Sequence, residues 1–287
     1  MKGGPSVATT TPPAPARPAL ARPERFRPLG LDLAHSEWTK LRTVRSTYWT
    51  LLVTAAGMVA FGALLTAAYV RHYGSAGPAA RAAFDPAGYS LSGFFLAQLA
   101  VGVLGVVAMT SEYQTGSIRA TFAAAPQRPM VLAAKAAVFG VVAAVTGILS
   151  SAAAFFTGQA ILSAKGIQAH IGDPGVLRSV IGAGLYLAVL GLLALGLGTL
   201  IRRTAGAIAA VVGVILILPV FMQGLPSSWQ NAVTRYLPSA AGQAIIGRTK
   251  FAPPGHLLAP WAGFAVFCGY AAAALTAAAV MLGRRDA

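Results

Sequence analysis

Six stretches of this chain are apolar and long enough to cross a hydrocarbon core, which takes about 20 residues of helix. They run from Tyr48 to Val70, Leu91 to Thr110, Ala136 to Ala164, Val176 to Ile201, Ala205 to Met222 and Leu257 to Gly283. Backbone amides in lipid must find partners within their own segment, and nothing here alternates with the period of two of a barrel wall, so all six are expected to be helices. With 56% hydrophobic and only 10% charged residues, 287 residues are too apolar for a soluble domain. The expected fold is an all-α integral membrane protein with six transmembrane helices.

Charge decides the orientation. The net charge of +15 could suggest nucleic acid, but the basic residues lie between apolar blocks, not on one soluble face with stacking aromatics, so no nucleic acid is expected. The N-terminal region, the loop from Thr110 to Lys135, the Arg202–Arg203 pair and the Arg284–Arg285 pair carry 15 of the 22 Lys and Arg residues, and the three intervening loops carry 7. Cytoplasmic loops retain positive charge, which puts both termini inside.

The segment 1–29, "MKGGPSVATTTPPAPARPALARPERFRPL", lacks the apolar core of a secretory signal and is too rich in Pro, Ala and Arg to bury a core. It is expected to be a disordered cytoplasmic tail, either inert or resting on anionic headgroups through Arg17, Arg22, Arg25 and Arg27. Residues 30–287 are expected to form one membrane domain, with a cytoplasmic loop over 111–135 and an external loop over 223–256. In "LDLAHSEWTKLRTVRSTYWTLL", helical spacing puts Leu31, Ala34, Trp38, Leu41 and Tyr48 on one face and Ser36, Thr39, Thr43 and Thr47 opposite. This reads as an N-terminal interfacial helix anchored by Trp38, Tyr48 and Trp49 at headgroup depth. Glu37 and Arg45 fall on its apolar side, where they either snorkel to water or pair with another cytoplasmic element.

The loop "TSEYQTGSIRATFAAAPQRPMVLAAK" holds Glu112, one of only seven acidic residues. "SEYQ" fits a capping box with Ser111 as N-cap, which predicts a new short helix with Glu112 in its first turn, where the helix dipole favours a carboxylate. Pro126 and Pro129 would stop it, and the chain would turn back through Lys135 into the third span. On the plainer alternative, Glu112 is only a cap and the arginines only mark topology.

The span interiors argue against catalysis and ion coupling. Apart from Arg178, near a helix end, none carries an ionisable residue in its middle, and no broken helix or internal repeat is evident, as a proton- or sodium-coupled carrier would need. No nucleophile stands with a base, the four histidines have no metal-ligand spacing, and the single cysteine, Cys268, reads as a small buried hydrophobe. No enzyme activity, cofactor or metal is expected. Gly184, Gly191, Gly196 and Gly198 in the fourth span suit close helix packing, although an Ala/Gly-rich proteome would show the same pattern. Gln98 and Gln159 suit interhelical hydrogen bonds better than a pathway lining. Leu225, Trp229, Val233 and Tyr236 have the spacing of an external surface helix.

Together, "SEWTKLRTVRSTYWTLL", the Thr110–Lys135 loop and "LPSSWQNAVTRYLPSAAGQAI" resemble the ABC-2 type transporter permeases of actinobacteria, from about Leu31 to the C-terminus. The resemblance implies the membrane subunit of an ATP-driven exporter in a bacterial plasma membrane, handling a hydrophobic or amphipathic compound. It implies an amphipathic connecting helix with Glu37, Trp38, Lys40, Arg42 and Arg45. A coupling helix near Glu112 to Ala125 would bring Glu112, Tyr113, Gly116, Ser117, Arg119, Pro126, Arg128 and Lys135 to a separate ATP-binding subunit. No G-x-x-x-x-G-K-[ST] phosphate loop occurs in the sequence, so the ATPase is expected on that partner. Six helices are half the usual complement, which implies a second permease copy or a sister permease. A secondary carrier and a non-transporting scaffold are the alternatives.

Overall fold

The computed structural model describes residues 30–43, 45–75, 77–118, 127–247 and 258–284. The expected tail 1–29, Arg119, Pro126, and the last part of the external loop, 248–256, lie outside them, as do the side chain of Leu31 and the start of the sixth span at Leu257. The helices are α1 (Gly30–Thr43), α2 (Arg45–His72), α3 (Pro78–Ala82), α4 (Pro86–Ser90), α5 (Phe94–Thr115), α6 (Arg128–Ser163), α7 (Val176–Ile201), α8 (Thr204–Val212), α9 (Leu218–Gln223), α10 (Ser227–Val233), α11 (Pro238–Gln243) and α12 (Pro260–Arg284). Among the described residues there is no strand. Six helical segments are long and apolar enough to cross a membrane: Thr47–Ser75, Pro86–Thr115, Arg128–Ser163, Val176–Ile201, Thr204–Gln223 and Pro260–Arg284.

The fourth span, α7, is the axis of the bundle. It packs on α5, α6 and α12, and its glycines make those approaches possible. A Cβ at Gly191 would lie 2.6 Å from Phe139 of α6, one at Gly196 would lie 2.9 Å from Ala274 of α12, and one at Gly198 would lie 3.1 Å from the Val106 carbonyl of α5. At the α6–α7 crossing Gly147 and Gly184 face each other, a Cβ on the former lying 2.8 Å from the latter's carbonyl oxygen. Where lipid tails are as apolar as the helices, such close approach supplies the dispersion contacts that hold helices together. Both glutamines expected to bond between helices do so. Gln98 accepts from the buried Tyr186 hydroxyl at 2.7 Å, and Gln159 donates to Ser90 at 2.9 Å.

Several boundaries differ from the sequence reading, the first span running on to Ser75 instead of Val70. The second span begins at Pro86, where the Asp85 carboxylate caps the Gly88 amide at 3.1 Å, and ends at Thr115 instead of Thr110. The third begins at Arg128 instead of Ala136, because Pro129 sits in the first turn of α6, where its missing N–H costs nothing. Pro129 therefore starts a helix, and residues 119–126, which were to carry most of the expected short coupling helix, lie outside the described residues. The fifth span is not a regular helix: Gly213–Ile217 forms a π turn between α8 and α9, two residues ahead of Pro219. Proline cannot donate to the carbonyl four residues back, and widening the turn is one way a helix absorbs that loss.

Beyond the fifth span, α10 forms a short helix within the stretch where a surface helix was expected, with Trp229 exposed. The chain then dives inward, which the sequence reading missed. α11 and the turn Ala244–Ile246 are buried against α7 and α12, and the Ile246 carbonyl accepts from Ser179 at 2.7 Å.

Candidate functional site

One end of the bundle gathers α1, the end of α5, the start of α6, the α7–α8 junction and the end of α12. Gln114 donates to Thr204 at 2.9 Å, and Arg128 donates to the Leu282 carbonyl at 3.4 Å. All four of the more basic regions of the sequence send described residues to this end.

At this end four charged side chains close a ring. Lys135 of α6 donates to Glu37 of α1 at 2.5 Å and to Glu112 of α5 at 2.8 Å. Lys40 of α1 donates to the same two carboxylates, at 2.6 Å to Glu37 and 3.2 Å to Glu112. Each carboxylate thus touches both ammonium groups, and the ring is neutral. The side chains of Glu37, Lys135 and Glu112 are 3%, 8% and 12% exposed, whereas Lys40, at 41%, opens to the outside. Burying single charges would be prohibitive, and alternation makes the burial tolerable. Burial of Lys40 works against its charge, but its bonds and proximity to Glu37 and Glu112 outweigh this and hold its pKa above the usual 10.5. A raised pKa places that contribution fully below 10.5, to be lost only as pH rises through the higher folded value, so Lys40 carries its charge at neutral pH.

The local reasons differ from the capping box. Residues 111–115 continue α5 without a break, so Ser111 is inside a helix and caps nothing. No glycine or proline intervenes between Gly105 and Gly116, and a four-residue capping pattern cannot stop a helix that is already propagating. Gly116 stops it, at φ 71°, a left-handed conformation natural to glycine. Glu112 therefore sits in the last turn, where the helix dipole disfavours a carboxylate, and the two lysines supply what the dipole does not.

The other expected residues divide. Lys40 and Glu37 of the connecting-helix set join the ring, while Trp38, Arg42 and Arg45 face away, exposed. Glu37 thus pairs with other elements and does not snorkel. The inward face of α1 is led by Leu33 and Glu37, and Thr47, placed on the outer polar face by the spacing, is buried. Tyr113 lies under the Arg202 guanidinium at 5.3 Å, and Arg202 itself holds a left-handed φ of 59° where α7 ends. Ser117 lies 3.0 Å from Thr115 across the hydroxyls. Beneath the ring opens a cleft of about 460 Å³, with Leu104, Val107 and Ala108 on its apolar wall and Ser111, Thr115 and Ser117 among its hydroxyls. All four members stand among the residues singled out from the sequence, Glu37 as a rare acid on an otherwise apolar helix face and Glu112 as one of seven acids, but no sequence signal pairs them. Among the described residues no group of three or more His, Cys, Asp or Glu could hold a metal ion.

The chain is thus a helical protein with six helices able to cross a membrane and a neutral, buried ionic joint at its basic end. No protein-family model matches the sequence, and no curated protein matches it.

Proposed function

We propose that this chain is the permease subunit of an ATP-binding cassette exporter of the ABC-2 type, in a bacterial plasma membrane with both termini cytoplasmic. The observation that carries the reading is the ring. It ties α1 to the ends of the second and third spans, the place where a motor docked on the cytoplasmic side would push. A buried ring of alternating charges has one good geometry, so a displacement of the α5 end is passed through Glu112 to Lys135 on α6, and through Glu37 to α1. ATP hydrolysis is assigned to a separate subunit, since the sequence contains no phosphate loop of the G-x-x-x-x-G-K-[ST] kind. A second permease, identical or related, completes the pathway, and α1 lies in the membrane interface with Trp38, Tyr48 and Trp49 outward. The cleft under the ring, apolar on one wall and polar on the other, suits a hydrophobic or amphipathic cargo.

The test is reconstitution. Co-expression with an ATPase encoded beside it should yield a complex with two copies of each kind of subunit, and proteoliposomes should accumulate amphipathic dyes only with ATP. Uptake that runs on an ion gradient without ATP would refute the reading in favour of a secondary carrier.

A further inference from the structure

We infer that the elbow between α1 and α2 is a binding notch for an anionic glycerophospholipid, a conclusion independent of any transport activity. Trp38, Leu41 and Arg42 of α1, Tyr48 and Leu51 of α2 and Val142 of α6 line an open cleft of about 170 Å³. Its chemistry is graded. Arg42 stands at the polar end, two aromatic side chains occupy the middle, and Leu51 and Val142 lead into the apolar spans.

Arg42 is exposed and, among the described residues, forms no ion pair. Glu37, the nearest acidic residue in sequence, is consumed by Lys40 and Lys135, so no carboxylate lines the notch. A guanidinium in that position presents a planar fork that fits the two free oxygens of a phosphodiester. Trp38, Tyr48 and Trp49 are 46%, 54% and 67% exposed around it, and such aromatics settle at the boundary between headgroup and acyl chain. Beyond them the outer surface is apolar, with Leu52, Val53, Val141 and Val145 all exposed, as acyl chains require.

Arg45, exposed just past the elbow, adds a second positive charge. The notch therefore favours a net-negative headgroup. A choline or ethanolamine ammonium could stack on Trp38 or Tyr48, but Arg42 beside those rings would repel it.

Native mass spectrometry of the full chain in mild detergent tests this, with phosphatidylglycerol and phosphatidylcholine as separate probes. Phosphatidylglycerol should be retained as one discrete adduct per chain and phosphatidylcholine should not. Arg42→Gln should weaken that retention by about tenfold, the usual scale for a hydrogen bond to a charged group. Arg71→Gln, on the last turn of α2 at the other end of the bundle, should leave it unchanged. Because Arg42 is exposed and outside the ionic ring, its replacement does not threaten the fold. Equal retention of the two lipids, or undiminished phosphatidylglycerol binding by Arg42→Gln, overturns the assignment.

Discussion

Replacing Lys135 with Met should be the most damaging single change in the ionic ring. It removes contacts of 2.5 and 2.8 Å to two carboxylates whose side chains are only 3% and 12% exposed, and leaves both of them on Lys40 alone. Breaking a buried pair from one side typically costs about 3 to 5 kcal/mol, because the orphaned charge keeps its desolvation penalty. Lys40→Met should cost less, since that side chain is 41% exposed, the opening it leaves admits water, and both carboxylates keep the buried Lys135. The ring also predicts a specific non-additivity. In Lys135→Met with Glu112→Gln, Glu37 and Lys40 remain as a neutral pair at 2.6 Å, so the double variant should be less unstable than the sum of the singles by about 1 to 3 kcal/mol. Unfolding in mixed micelles, titrated with denaturing detergent and followed by tryptophan fluorescence, measures all four variants on one scale. If Lys135→Met and Lys40→Met cost the same, or the double variant is additive within about 0.5 kcal/mol, the four charges do not act as one joint.

Two further outcomes are expected. Gly184→Ala should destabilise the bundle by about 1 to 3 kcal/mol, read in the same titration, because the added methyl meets the Ile148 backbone of α6, which has no rotamer to move; an unchanged midpoint would mean that the α6–α7 crossing is looser than described. In a Cys268→Ala background, a cysteine at Arg203 should be protected in intact cells from an impermeant thiol reagent and one at Ser75 should react. The reverse labelling would invert the proposed orientation.

Much of this molecule was legible from local signals. A backbone that must satisfy its hydrogen bonds inside lipid can only be helical there, so run length and hydropathy located all six spans, and the fourth matched residue for residue. The glycines of α7 announced close packing, because only a missing side chain allows helices so near. Local pattern failed where a helix end depends on what lies around it. "SEYQ" has the composition of a cap, yet α5 runs through it to Gly116, since a longer helix lets Glu112 meet Lys135. Burial of Pro238–Ile246 was equally hidden, because a short Ala- and Ser-containing stretch next to a surface helix has no period of its own. The ring itself could be decided only in three dimensions. Its members are separated by 72 residues between Lys40 and Glu112 and by 98 between Glu37 and Lys135, and a charge in isolation does not state which opposite charge will share its burial. The packing of three helix ends against one another removes water from Glu37, Lys135 and Glu112 at once, and that common desolvation selects the partners, with Lys40 closing the ring from the exposed side.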